Sequence, residues 1–179
     1  VVTVSRAKGT LNFPARFTLV AAMNPCPCGN ATDPEKVCSC SPSQIIKYQK
    51  KISGPILDRI DLQIEVPRLK FEKLQEEFSG ETSEEIRKRV ESARETQKRR
   101  FKSEKIITNS EMSSNQIKEF CRLDDKSVEL LRIAVSTMGL SARSYYRLIK
   151  IARTIADLSE EENILPSHIA ESIQYRFKV

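Results

Sequence analysis

Apolar side chains come at every second position where the chain begins. Val2 and Val4 alternate with polar residues, Lys8-Gly9-Thr10 supplies a turn, and Phe13-Pro14 interrupts the pattern. A period of two around a glycine turn predicts a β-hairpin over residues 1–14. The next apolar run, FTLVAAM at residues 17–23, is continuous. It reads as a strand buried on both faces. IDLQIEVP at residues 60–67 alternates again, with Leu62, Ile64 and Val66 on one side and Pro67 as its stop, so a further strand is expected there. Between these two lie a cysteine-bearing loop and a short helix around residues 42–51.

From residue 68 onward the period changes to that of a helix. Thr82-x-x-Glu85 is a capping box that opens a basic helix with a sparse apolar stripe, Ile86, Val90, Ala93 and Phe101. Asp124 can cap a helix that turns Val128, Leu131, Val135 and Met138 inward and ends at Gly139. Ser141 can cap the next, with Tyr145, Leu148, Ala152, Ile155 and Ala156 inward. Pro166 suits the first turn of a last helix presenting Ile169, Ile173 and Phe177. The fold class predicted is α+β, mostly α: a small α/β piece followed by a helical bundle. SGETS at residues 79–83 is the expected joint.

Composition narrows this only a little. The 179 residues are 39% hydrophobic and 30% charged, the balance of a soluble globular protein. No apolar run approaches the ~20 residues of a membrane span, and no signal peptide opens the chain. The chain starts on a strand pattern and without methionine, which suggests a piece of a longer protein.

Charge changes the picture more. The formal net charge is +6, and residues 87–105 (RKRVESARETQKRRFKSEK) alone hold nine Lys/Arg and three Glu, an excess of the same size. Such a stripe suits an anionic partner, nucleic acid first. A solvated helix face laced with Glu–Lys and Glu–Arg pairs is the competing reading.

Some chemistry is absent. A phosphate-binding P-loop needs Gly-Lys-Ser/Thr, and none of Gly9, Gly29, Gly54, Gly80 or Gly139 is followed by lysine. His168 is the single histidine, so no Ser/His/Asp triad is expected and a structural role is. Other chemistry is suggested. Cys26, Cys28, Cys38 and Cys40 form C-x-C-x9-C-x-C. The spacer is one residue shorter than the familiar zinc pattern, yet it permits S₄ ligation. Zinc, free thiols and disulfides all remain open. Cys121 reads as a small buried apolar residue. Asn24, before Pro25, could simply begin a turn. Arg59 could be a surface partner of Asp58 or Asp61. Arg143 falls in a first helical turn, with Arg147 and Lys150 after it on one polar face.

Three long stretches, VTVSRAKGTLNFPARFTLVAAMNPCPCG, KISGPILDRIDLQIEVP and GLSARSYYRLIKIARTIADL, resemble the magnesium-chelatase-like AAA+ ATPases of the ComM/YifB group. The resemblance covers nearly the whole chain. It implies that residues 1–67 are the later part of an AAA+ α/β core, with a Cys-rich loop at 25–41, and that 68–179 are the helical lid. It implies that the P-loop precedes residue 1, so that ATP and Mg are bound mainly by an upstream region and this stretch alone is inactive. It makes Asn24 a sensor 1, Arg59 an arginine finger with Arg16 as first substitute, and Arg143 a sensor 2.

The same resemblance implies a cytoplasmic, oligomeric ATPase, a hexameric ring that remodels DNA as a branch-migration or helicase-like motor linked to competence. The expected nucleic-acid-binding residues are Arg6 and Lys8 on the hairpin, with Arg87, Lys88, Arg94, Lys98, Arg99 and Arg100 on the basic helix. Two alternatives stand beside it: a chelatase- or chaperone-like protein-remodelling ATPase, and a passive zinc-dependent nucleic-acid-binding module.

Overall fold

The computed structural model describes residues 1–15, 17–68 and 80–176. Arg16, Ser79 and Phe177, named above, lie outside them. The chain divides into two compact units, Val1–Gln49 and Lys50–Val179.

In the first unit β1 (Val2–Arg6) and β2 (Gly9–Phe13) pair antiparallel, with Val2 opposite Phe13 and Arg6 opposite Gly9. The hairpin is therefore where the alternation puts it. The tight reversal needs Gly9, whose φ of 145° no side chain adopts readily. Thr3 donates to Asn12 at 2.6 Å and Ser5 meets Thr10 at 3.1 Å across the strands. Both faces are exposed, so these cross-strand bonds and the backbone ladder carry the pair, which is marginal support for two strands. After the cysteine loop, α1 (Pro42–Gln49) starts on a reciprocal cap. Ser41 N–H donates to Gln44 Oε1 at 2.8 Å, and Gln44 N–H returns to Ser41 Oγ at 3.4 Å.

The run at 17–23 and the segment at 60–67 are not strands. Residues 17–23 are exposed and unpaired, Val20 at 89%, and residues 61–67 are mostly exposed, Val66 at 85%. A strand needs neighbours for its N–H and C=O groups. Among the described residues the only sheet is the β1–β2 hairpin, so the apolar pattern has no partner to act on.

The second unit is helical: α2 (Gly54–Leu57), α3 (Ser83–Arg100), a 3₁₀ turn (Asn109–Glu111), α4 (Ser114–Phe120), α5 (Asp125–Met138), α6 (Ala142–Leu158) and α7 (Pro166–Gln174). The expected caps are all in place. Thr82 and Glu85 form the capping box. Asp124 Oδ1 accepts Ser127 N–H at 2.8 Å, Ser141 Oγ accepts Ser144 N–H at 3.2 Å, and Gly139 ends α5 at φ 61°. The core is Phe101, Met112, Ile117, Cys121, Leu131, Leu148, Ile149, Ala152, Ile164 and Ile169, with Phe101 and Phe120 edge to face at 5.5 Å. Burial pushes the Cys121 thiol up to about 11, so it is an inert packing group. His168 is structural as well: its Nδ1 accepts the Leu165 N–H at 3.1 Å inside the first turn of α7.

Three inward assignments move. Ile86, Val90 and Val128 are 42–48% exposed. Only the C-terminal half of α3, through Ala93 and Gln97, is buried. In α5 Leu131 is buried as expected, but Ser127 and Ala134 take the buried places expected of Val128 and Val135, and Val135 and Met138 are half-buried.

One buried polar network ties α3 to α6. Asp157, 2% exposed, accepts from Asn109 Nδ2 at 2.8 Å, from Arg153 Nε at 3.1 Å and from both terminal nitrogens of Arg100, one of them at 2.8 Å. Arg153 closes the far side through the carbonyls of Glu161 and Glu162, both at 2.7 Å. A buried charge is tolerated only when paired and hydrogen-bonded in this way.

Candidate functional site

The cysteine loop is built by short turns. Gly29 N–H donates to Cys26 C=O at 3.0 Å with Gly29 at φ 83°, and Asp33 Oδ1 accepts the N–H groups of Glu35 at 2.9 Å and Lys36 at 3.1 Å. These turns fold the two C-x-C pairs onto one another. All four sulfurs lie within 4.8 Å of each other. Cys26–Cys28, Cys28–Cys38 and Cys26–Cys38 are 3.4, 3.5 and 3.7 Å apart. A disulfide would need about 2.05 Å, and the cysteines are free. A tetrahedron of thiolates about 2.3 Å from zinc has edges of about 3.8 Å, close to those distances. The donor set therefore fits a closed S₄ metal site, despite the short spacer.

The sulfurs also feel one another. The Asn30 N–H, then the Cys26 thiol and the Ser39 N–H, lower Cys28 to about 5. At Cys40 the Cys28 N–H pulls down, but burial and the sulfurs of Cys28 and Cys26 outweigh it and push the thiol up to about 12. A divalent cation would relieve that mutual repulsion and release protons. Cys40 directly precedes the cap of α1, and Gln49 Nε2 at the other end of α1 donates to Pro25 C=O at 3.2 Å. The loop and the helix thus brace each other. Asn24 stands at the entrance to the loop with its side chain beside Gly29 and is exposed.

The second unit brings Asp58 and Arg59 to the N-terminus of α6. The turn after α2 is closed by Asp58 N–H to Gly54 C=O at 2.8 Å and Arg59 N–H to Ile56 C=O at 2.9 Å. The Asp58 carboxylate accepts from the hydroxyls of Ser144 and Ser141, the latter at 3.1 Å. The Ser144 hydroxyl first, with Ser141, Arg176 and Arg147 behind it, holds the Asp58 carboxyl below its usual range against the effect of burial. Arg147 binds Asp61 Oδ1 at 2.9 Å and also donates to the Arg59 carbonyl. Arg59 itself is exposed, with Nη1 on Pro55 C=O at 2.7 Å. Arg143, one turn before Arg147 on α6, is exposed and makes no hydrogen bond or ion pair among the described residues. A cleft of about 240 Å³ lies between α4 and α6, lined by Met112, Ser114, Ile117, Arg143, Tyr146, Arg147 and Lys150. Two exposed guanidiniums, one braced through its backbone and one unpaired, are suited to anionic oxygens. Asp58, Ser144 and Arg147 were not singled out as partners from the pattern; the signal available was Ser141 and Ser144 at i and i+3, facing an Asp beside an Arg.

The basic residues separate into two groups. Arg87, Arg94 and Lys98 follow at i, i+7 and i+11 along one exposed face of α3 that also carries Glu91. Lys88 pairs with Glu84 at 2.9 Å, Lys98 with Glu95 at 3.3 Å, and Arg99 reaches Thr96 at 3.2 Å. Arg100 is turned the other way, onto Asp157, because it shares the helix face of Ala93 and Gln97. Arg6 and Lys8 are exposed at the hairpin turn.

Comparison with known proteins adds what geometry lacks. Residues 80–176 match the family described as magnesium chelatase, subunit ChlI C-terminal, and residues 1–74 match magnesium chelatase, subunit ChlI. The competence protein ComM of Haemophilus influenzae is 45% identical over 179 residues, 99% of this chain and 34% of that protein. The chain belongs to the magnesium-chelatase-like family of the ComM/YifB type. The uncharacterized protein YifB of Escherichia coli is 38% identical over 176 residues, 98% of this chain and 34% of its own length. The uncharacterized protein Rv2897c of Mycobacterium tuberculosis is 33% identical over 175 residues, again 98% and 34%. The chain thus spans about a third of the length of the curated relatives it matches. Among its described residues the chain is mostly helical with one small sheet, and no described helix is long and apolar enough to cross a membrane.

Proposed function

We propose that these residues form the later part of an AAA+ ATPase that couples ATP hydrolysis to DNA remodelling. The core portion is 1–67 and the lid 68–179, with the P-loop upstream. The observation that carries the reading is the junction at α6, where a braced turn presents Arg59 and the first helical turn presents Arg143, both with exposed guanidiniums. In a ring of such chains Arg59 would serve the neighbouring subunit's γ-phosphate, and Arg143 the phosphates of its own. A guanidinium placed against the transferring oxygens stabilises their spreading charge and contributes roughly 10³–10⁵ in rate. Asn24, ending the segment beside the cysteine loop, would orient the attacking water as sensor 1. ATP with Mg is the cofactor this residue set suits; no Gly-Lys-Ser/Thr is present, so other residues must hold most of the phosphate contacts. The S₄ cluster would hold a structural Zn²⁺, since four thiolates leave no open position for water or substrate.

DNA as substrate is supported by the likeness to a protein whose name ties it to competence and by the exposed Arg87, Arg94 and Lys98, with Arg6 and Lys8 on the hairpin. Arg100 is set aside, because its charge is spent on Asp157. A chelatase-like protein-remodelling ATPase is the second reading, favoured by the family that both halves match. ATPase turnover of the full-length protein with and without DNA separates them. Stimulation by DNA supports the motor, whereas turnover indifferent to DNA supports protein remodelling. Arg59→Ala should abolish hydrolysis while sparing ATP binding; a fully active Arg59→Ala protein would refute the finger assignment.

A further inference from the structure

We propose that Asp58, Ser141, Ser144 and Arg147 form a positioning joint that locks the Arg59 turn to the first two turns of α6, so that Arg59 and Arg143 move as one body. The inference rests on the reading of Arg59 as the residue that serves a neighbouring site, and deepens it by naming what aims it.

Three stitches make the joint. The Asp58 carboxylate takes the hydroxyls of Ser144 and Ser141 at the N-terminus of α6, where the helix dipole also favours a negative charge. Ser144 is 1% exposed, so this contact is shielded from competing water. Arg147, one turn further along, holds the Arg59 carbonyl and Asp61, so that with the Asp58 contacts before it the backbone is pinned on both sides of the Arg59 side chain. Beyond them Gln63 N–H donates to Tyr175 C=O at 2.9 Å and Gln63 Nε2 to Leu57 C=O at 3.0 Å, tying the following segment to the end of α7. Arg176 is buried behind Asp58, which draws on its charge. Arg59 makes none of these stitches with its own side chain. Its exposed guanidinium, with one Nη1 bond to the Pro55 carbonyl, keeps its other donors for a partner while its Cα is fixed. A shift of α6 that follows Arg143 must carry the Arg59 turn with it, so occupancy of one nucleotide site is transmitted to the finger offered to the next.

The test is made in the full-length protein with Ser144→Ala and Asp58→Asn, beside Arg59→Ala. Alanine is favourable in a first helical turn and removes one hydroxyl, so Ser144→Ala should fold. Both joint variants should lower kcat roughly ten- to a hundredfold, the scale of a reacting group misplaced by about an ångström. KM for ATP should stay near wild type, and so should the melting temperature of Ser144→Ala, whereas Asp58→Asn gives up the stability its ionised carboxylate contributes and should melt somewhat lower. The double variant should be no worse than the poorer single, because the two groups act as one contact. Mixing either variant with subunits disabled in the P-loop should restore part of the activity, since those subunits still offer an intact Arg59 turn. Wild-type kcat in both variants with an inactive Arg59→Ala would overturn the joint and leave the finger reading standing. In Ser144→Ala a kcat loss that tracks a fall in melting temperature, or in either variant one that mixing does not rescue, would overturn it too. If Arg59→Ala is itself fully active, the underlying reading fails and the joint with it.

Discussion

Arg100→Ala discriminates between a basic residue that meets a partner and one that holds the fold. The side chain gives two bonds to Asp157 and one to Asn109 Oδ1 at 2.9 Å, and its guanidinium carbon lies 5.9 Å from the Phe101 ring centroid. Its removal does not strip Asp157 bare, because Arg153 Nε at 3.1 Å and Asn109 Nδ2 at 2.8 Å remain. The cost should therefore fall below the ~3–5 kcal/mol of a fully orphaned buried charge, at about 2–4 kcal/mol. For a unit of this size that lowers the melting temperature by on the order of 10 °C. Asp157→Ala should cost more, since it leaves two guanidiniums facing each other without a carboxylate. Lys98→Ala removes a pair whose side chains are 75% and 64% exposed and should leave the melting temperature unchanged. Thermal melting followed by circular dichroism ranks the three, and DNA titration at two salt concentrations supplies the second axis. Lys98→Ala should reduce the salt dependence of DNA binding; Arg100→Ala at a temperature where it is folded should not. An Arg100→Ala protein as stable as Lys98→Ala would refute the buried pair.

Protein purified without chelators should contain about one zinc per chain by elemental analysis; Cys26→Ser or Cys40→Ser should lose the metal, and a well-ordered, metal-free loop with reduced thiols would show that the cysteines only pack. Gly139→Ala should destabilise by about 1 kcal/mol in denaturant titration, because a Cβ there meets no atom within 4 Å and the cost is the left-handed backbone alone. Asp58 and Asp124 both titrate below their ordinary 3.8 in the folded protein. Their contribution to stability should be fully present above that value and lost as the pH falls through the lower folded values, so the melting temperature should drop as the pH is taken below about 4. Asp58→Asn and Asp124→Asn should flatten that acid limb.

The local devices were legible in the residues. The hairpin, the caps at Thr82, Asp124 and Ser141, the left-handed stop at Gly139, the structural His168 and the four-sulfur cluster all depend on groups a few positions apart, or on turns that glycine and proline impose. Pairing and facing were not. Residues 17–23 and 60–67 carry strand patterns, but a strand exists only beside another, and alternation says nothing about whether one is there. Val128 and Ser127 differ by one step of 100° around a helix, and only the neighbouring helices decide which is buried. Arg100 looked like its basic neighbours until Asp157, 57 residues on, claimed it. The lock between Asp58 and Ser144 spans 86 residues. Charge count and helical period are properties of the chain alone, whereas the partner of each charge is chosen by how α2, α3 and α6 pack, since a carboxylate taken out of water binds whichever donors the fold places around it.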